Sequence, residues 1–224
     1  MARKQVYDTA RVAVLGLGRF GAALAGELVE QGTEVLGVDA DRAAVQQNSD
    51  ILTASAVADT SDIEALRQLG IDAFEHVVVA IGADLEASIL TTSLLVDLGV
   101  PDIWAKATTA QQQRILERIG AHHVILPEQE MGVRVAHLVS DQRLLDYVKF
   151  EEGYVMAKTR APQSVVGVPL GQSGLRAKYK ITVVAIKRGN GEFTSAGLDS
   201  VIEPGDLLLV AGRQQAVEEF AELS

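Results

Sequence analysis

The chain has 224 residues, 48% of them hydrophobic and 22% charged, which is enough for a sizeable buried core and for more than one compact unit. It has no cysteine, which excludes disulfides, thiol catalysis and cysteine-ligated zinc, and its formal net charge of −10 argues against nonspecific nucleic-acid binding. No apolar run approaches the roughly 20 residues that span a bilayer. The opening Met1-Ala2-Arg3-Lys4-Gln5-Val6-Tyr7 has no signal-peptide apolar core, so a cytoplasmic protein is expected.

The first predicted strand, Val12-Ala13-Val14-Leu15, breaks into Gly16-Leu17-Gly18-Arg19-Phe20-Gly21 and then into a helical pattern. A Gly-x-Gly-x-x-Gly turn between strand and helix suits a phosphate-cradling βαβ unit. Gly16 would make the tight turn, Gly18 would admit a pyrophosphate to the backbone, and Gly21 would let the helix pack closely on the sheet. A second strand, Glu34-Val35-Leu36-Gly37-Val38, ends in Asp39, 23 positions after Gly16, about where an acidic residue meets ribose hydroxyls. Further strands are predicted at Ile51-Leu52-Thr53-Ala54, Val77-Val78-Val79-Ala80-Ile81, Ile103-Trp104-Ala105-Lys106 and His123-Val124-Ile125-Leu126. Helices are predicted between them at about 41–48, 61–69, 84–97 and 109–119. Near-continuous apolar strands alternating with helices predict an α/β fold, a Rossmann-like doubly wound parallel sheet covered on both faces. Gly32, Gly70, Gly99 and Gly120 mark helix ends, while Asp62 and Asp84 mark helix starts.

Pro127 opens a longer helix expected to reach about Tyr147, with Met131, Val135, Leu138, Val139 and Leu145 at helical spacing, interrupted by Gln142. From Val148 the pattern becomes β-rich: Tyr154-Val155-Met156-Ala157, Ile181 to Ile186 and Leu207-Leu208-Leu209-Val210, then a helix at about 213–222. Gly189-Asn190-Gly191 and Pro204-Gly205-Asp206 mark turns. The expected organisation is a nucleotide-binding domain over 1–128, a connecting helix over 129–147, and a smaller α+β lobe over 148–224. Residues 1–128 hold nine Lys/Arg against eighteen Asp/Glu, and residues 129–224 hold eleven against twelve, so the acidity lies almost wholly in the first domain.

Arg19, at the helix start beside the phosphates, suits ATP or ADP as well as NAD. Asp39 is the expected ribose ligand. Asp59 and Thr60 after the third strand, and Ala80, Ile81 and Gly82 after the fourth, lie where adenine-side contacts form in this fold. Lys106, ending the fifth strand, is the next cation within reach of a phosphate. The histidines His76, His122, His123 and His137 read as structural or surface residues. No Gly-x-Ser-x-Gly, Walker-type loop, zinc or EF-hand pattern occurs. A nucleotide site without visible catalytic machinery suggests a sensor. An NAD(P)-dependent oxidoreductase and a sensor with a non-channel partner are the alternatives.

Several stretches together resemble one family: Val14 to Gly21, Val78-Val79-Ala80-Ile81-Gly82, Ile103-Trp104-Ala105-Lys106-Ala107, Leu126-Pro127-Glu128-Gln129-Glu130-Met131-Gly132, Leu175-Arg176-Ala177-Lys178-Tyr179 and Glu203-Pro204-Gly205-Asp206-Leu207. They are similar to the KtrA/TrkA-type RCK regulatory subunits of bacterial potassium uptake, in the single-RCK, KtrA-like length. The resemblance implies a TrkA-N Rossmann domain and a TrkA-C lobe, and no enzymatic activity. It implies a homo-oligomer, a dimer assembled into an octameric ring, at the inner face of the plasma membrane. Such a ring binds ATP, ADP or NAD(H) and gates a membrane potassium-translocating subunit. Arg19 falls on the family's phosphate-sensing arginine, Asp39 on its ribose carboxylate, and Glu128 on a carboxylate that helps hold a divalent or monovalent cation at the dimer interface. Arg176 and Ala177 fall where some relatives bind cyclic di-AMP between two lobes. A solvated basic edge with Lys178 and Lys180 is the other reading. Val57-Ala58-Asp59-Thr60 departs from the Gly-Asp-Ala-Thr of NAD-preferring relatives, leaving the nucleotide preference open.

Overall fold

The computed structural model describes residues 11–140, 143–150 and 153–223. Their contacts divide the chain into two compact units between Gln129 and Glu130. In the first unit six parallel strands, β1 (Arg11–Leu15), β2 (Glu34–Asp39), β3 (Ala54–Val57), β4 (His76–Val79), β5 (Asp102–Lys106) and β6 (His123–Ile125), form one sheet in the order β3-β2-β1-β4-β5-β6. Helices α1 (Arg19–Glu30), α2 (Arg42–Asn48), α3 (Ile63–Gln68), α4 (Leu85–Asp97) and α5 (Ala110–Ile119) connect them. Successive strand residues point to opposite faces, so these apolar runs feed two cores. Ala13, Leu15, Val77 and Val79 pack with Leu66, Leu95 and Leu116 on one face. Val12, Val14 and Val78 pack with Ala25 and Val45 on the other. The order runs outward in both directions from β1 and β4, and a doubly wound sheet places its ligand crevice at the carboxyl ends of those strands.

One expectation in the first unit shifts. The third strand is Ala54–Val57 rather than 51–54, because pairing with β2 sets its register, from Leu36↔Ala54 to Asp39↔Val57. Ile51 is left 53% exposed, while Leu52 still buries its side chain against the Val45 core. Helix starts follow the sequence signals closely: Asp41, Asp62, Asp84 and Thr109 each accept a first-turn backbone N–H of α2, α3, α4 and α5.

Helix α6 (Pro127–Ser140) is shorter than expected. Gln142 lies outside the described residues, and from Leu144 the chain is a strand, not a helix. β7 (Leu144–Lys149) opens a second, antiparallel sheet with β8 (Tyr154–Arg160), β9 (Thr182–Lys187), β10 (Phe193–Ser195) and β11 (Leu207–Arg213), in the order β10-β9-β11-β8-β7. Leu144 and Tyr147 are three positions apart, a spacing that fits a helix face. Pairing with β8 across an irregularity between Leu144 and Asp146 brings both to the same core instead. Around them pack Val155, Ile181, Ile202, Leu208 and Phe220 of the final helix α8 (Gln214–Ala221). Among the described residues no helix is long and apolar enough to cross a membrane.

The closest steric fit in the first unit is at Gly21. A Cβ there would lie 1.9 Å from the Gly16 carbonyl oxygen, a backbone atom that cannot step aside. Gly21→Ala should therefore destabilise the protein by about 3 kcal/mol or more. Urea denaturation followed by circular dichroism would check this as a lowered midpoint or a failure to fold.

Candidate functional site

At the end of β1 the chain turns sharply. Gly16 has φ +101°, and its N–H donates to the Val38 carbonyl at 2.7 Å. A Cβ there would sit 3.1 Å from the Ala80 carbonyl carbon and 3.2 Å from Ile81 Cγ1, so β1 and the end of β4 nearly touch. Gly16 and Gly21 are thus dictated by the fold. Gly18 is different, because a Cβ there would meet nothing within 4 Å. Gly18 also caps α1 with no side-chain hydrogen bond, so the first N–H groups of α1 face outward without the acceptor that α2 to α5 have.

Asp39 is half-buried at the end of β2, with both oxygens in use: Oδ2 accepts from Leu17 N at 2.6 Å and Oδ1 from Asp41 N at 2.8 Å. The carboxylate braces the glycine loop as well as facing the crevice. Asp59 is exposed and turned onto Ser61, whose hydroxyl and N–H it accepts at 2.6 and 2.9 Å. Those two bonds hold its carboxyl below the ordinary range. Thr60 is buried, its hydroxyl 3.0 Å from that of Thr91 on α4. Its side chain therefore locks the β3–α3 turn to α4, and only its backbone is left for a ligand.

Lys106 is the least expected feature. It is only 8% exposed, yet ionisable. Its ammonium donates to Glu128 Oε1 at 2.6 Å, lies 5.6 Å from the centre of the Phe20 ring, and would be 3.2 Å from a Cβ on Gly82. The sequence suggested Lys106 as a phosphate cation and Glu128 as a cation ligand, and the fold brings the two into one ion pair. Glu128 is 61% exposed. The hydrogen bond from Lys106 and one from its own backbone hold its carboxyl below the ordinary range; the Lys106 and Arg19 charges add, and slight burial opposes. Arg19 itself is exposed on the first turn of α1. Ala80, Ile81 and Gly82 line the β4 side of the crevice. Sequence reading missed Thr108 and Gln112, although Thr109-x-x-Gln112 is a helix-start pattern. The Gln112 side-chain oxygen accepts from Thr108 N and Oγ1, both at 2.9 Å, and fixes the turn that follows Lys106. Among the described residues no group of three or more His, Asp or Glu side chains could hold a metal ion.

Residues 12–127 match the TrkA-N domain and residues 156–224 the TrkA-C domain. Ktr system potassium uptake protein C of Bacillus subtilis is 38% identical over 208 residues, which covers 93% of this chain and 94% of that protein. The chain belongs to the TrkA/Ktr family. Ktr system potassium uptake protein A of the same organism is 36% identical over the same shares. Among solved structures the GsuK channel superposes with a TM-score of 0.68 at 14% identity, over 96% of this chain and 39% of that one. The GsuK channel bound to NAD gives 0.54 at 19%, over 97% and 39%. These superpositions establish the RCK fold of the chain.

In the TrkA-C lobe a cavity of about 480 Å³ is lined by Ser173, Arg176, Ala177, Ile181, Val183 and Leu198, among others. Arg176 and Ala177 are exposed on a short helix, α7 (Leu175–Lys178). The other basic residues of this stretch do not join them. Lys178 lies over the Tyr179 ring and Lys187 over the Phe193 ring. Arg188 pairs with Glu203 and with Asp206, which is 1% exposed, and also donates to the Val201 carbonyl.

A carboxyl with a depressed pKa contributes stability above its unfolded value, roughly 4.3 for glutamate, and loses it as pH falls through the folded value. The Lys106–Glu128 pair should therefore be intact at neutral pH and break only in acid. An NMR titration of the Glu128 carboxyl should give a midpoint below the ordinary range, returning upward in Lys106→Met.

Proposed function

We propose that this chain is a regulatory RCK subunit of a potassium uptake system. It binds an adenine nucleotide (ATP, ADP or NAD(H)) in the crevice between β1 and β4 and has no catalytic turnover. The observation that carries this reading is Gly18: among the described residues a Cβ there would meet nothing within 4 Å, so the space beside the loop is open to a phosphate. Uncapped N–H groups at the start of α1 and the dipole of that helix supply an anion site. Arg19 is the residue for the terminal phosphate, Asp39 for the ribose, and Ala80, Ile81 and Gly82 for close backbone approach. Lys106 supplies a second positive charge once a phosphate competes with Glu128 for it, which frees Glu128 for a cation. The relatives named for potassium uptake and the fold shared with an NAD-bound channel support the same reading.

The partner is a membrane potassium-translocating subunit, and the working form is a homo-oligomer, dimers in an octameric ring peripheral to the membrane. In the TrkA-C lobe, Arg176 and Ala177 form one half of an anion site completed by a second copy, for which cyclic di-AMP is the first candidate. A twofold dinucleotide with two phosphates would neutralise two facing arginines and match their symmetry.

Co-purification with a membrane potassium transporter and calorimetry with ATP, ADP, NADH and cyclic di-AMP test the reading. Steady oxidation of NADH with a small substrate at about 1 s⁻¹ or faster would overturn it in favour of a dehydrogenase.

Gly18→Ala should keep the fold, at a cost of about 1 kcal/mol or less, while nucleotide binding is lost. Arg19→Ala should weaken ATP more than ADP, by roughly tenfold to a hundredfold, the worth of a charge-assisted hydrogen bond. Equal losses would make Arg19 a general phosphate contact. In the full-length protein Arg176→Ala should abolish cyclic di-AMP binding, at one ligand per two chains, and leave ATP binding unchanged.

A further inference from the structure

At the opposite end of the sheet from the glycine loop, four side chains meet that the nucleotide site does not use. His76 begins β4, Asp102 begins β5 and His123 begins β6, with Trp104 two residues along β5. Register pairs His76 with Asp102 and Trp104 with His123, which sets all four on one face. Asp102 Oδ2 lies 2.7 Å from His76 Nδ1 and accepts from Trp104 Nε1 at 2.9 Å, and its Oδ1 lies 3.4 Å from His123 Nε2. The His123 ring stacks on the indole, with centroids 4.1 Å apart at 25°. One carboxylate is thus held between two imidazoles, all three partly open to solvent.

We infer that His76, Asp102 and His123 form a proton-responsive clamp that fastens the edge strand β6 to the sheet more tightly as pH falls. β6 is three residues long and, among the described residues, pairs with β5 alone. Such an edge opens at low cost unless side chains hold it. Three side-chain ties do so, all to β5: Asp102 and Trp104 hold His123 at the start of β6, Lys106 holds Glu128 three residues after its end, and His122 Nδ1, just before β6, accepts from Ile103 N, a bond that only the neutral ring can make. The second tie is insensitive to pH until acid, whereas imidazole changes charge between about pH 5 and 8. Protonated His123 gains an ion pair with Asp102 and a cation–π contact with Trp104. His76 competes for the same carboxylate, its Nδ1 lying 2.7 Å from Asp102 Oδ2.

The surrounding charges are few. Arg11, on β1, turns to the Ala73 carbonyl at 3.3 Å and the Phe74 ring. Glu34 pairs with it in register on β2, and Glu75 precedes β4. His122 accepts from Ile103 N through Nδ1 at 3.0 Å. Burial raises the Asp102 carboxyl, but the hydrogen bonds from His76 and Trp104 and the charges of His123 and His76 outweigh it and hold the group low. Asp102 therefore stays ionised across the range in which the histidines change. The clamp does not depend on which nucleotide binds.

Trp104 is the only tryptophan in the sequence, so intrinsic fluorescence reads the clamp directly. In the full-length protein, emission should fall from about pH 8 to about pH 5 as the stacked imidazole becomes a cation, and His123→Gln should remove the change. Hydrogen exchange of the β6 amides, corrected for the intrinsic effect of pH, should slow roughly twofold to fivefold over the same range, the worth of an exposed ion pair. Asp102→Asn should abolish that slowing while keeping the fluorescence change. Emission that is flat with pH, a change that survives His123→Gln, or β6 exchange equally fast at both pH values in the unmodified protein would overturn the inference.

Discussion

The first unit depends on one close contact, that of Gly21 with the Gly16 carbonyl. Because no atom stands between them, α1 begins directly against the end of β1 and beside Ala80, and the turn joining strand to helix follows a tightly constrained path. That path aims the uncapped N–H groups of α1 into the crevice and brings Leu17 N to Asp39. The glycine loop and the Asp39 carboxylate are consequently one braced object, pinned at three points: the Val38 carbonyl, Asp39 and Ala80. Such pre-organisation matters for a sensor, since a loop that had to be ordered by its ligand would subtract that cost from affinity.

Electrostatics works against the composition here. The first domain carries twice as many acidic as basic residues, yet it places two of its few cations at the mouth of the crevice, Arg19 exposed and Lys106 buried. A buried ammonium without a partner is costly, and Glu128 removes that cost in the absence of ligand. Glu128 is itself largely exposed, so the pair can be opened from the solvent side by a competing anion. The first turn of α6, the helix through which the chain leaves this unit, carries the carboxylate that such an anion would displace.

The second unit uses charge differently. Arg188 is spent on architecture: with Asp206 and Glu203 it fixes the Pro204-Gly205 turn ahead of β11. Arg176 is left at a cavity whose other walls are mostly apolar. Arg176, Lys178, Lys180, Lys187 and Arg188 fall within thirteen positions, but aromatic rings and carboxylates engage three of them. Linear proximity counted charges that the fold had already used.

Glycine spacing, alternating apolar runs and helix caps made the doubly wound domain legible, because each is a local consequence of backbone geometry and burial. So was the placing of Gly16, Gly18 and Gly21 at the turn from β1 into α1 and of Asp39 at the end of β2. The sequence could not reveal that β3 starts at Ala54, that Leu144–Lys149 is a strand, or that Thr60 points into the protein. Those outcomes depend on partners distant in the chain, namely β2, β8 and Thr91. The Lys106–Glu128 pair and the grouping of His76, Asp102 and His123 join residues 21 to 47 positions apart, through parallel strands whose order only the folded sheet decides. Local geometry is written residue by residue, whereas which side chains meet across a sheet is settled by packing the whole domain at once.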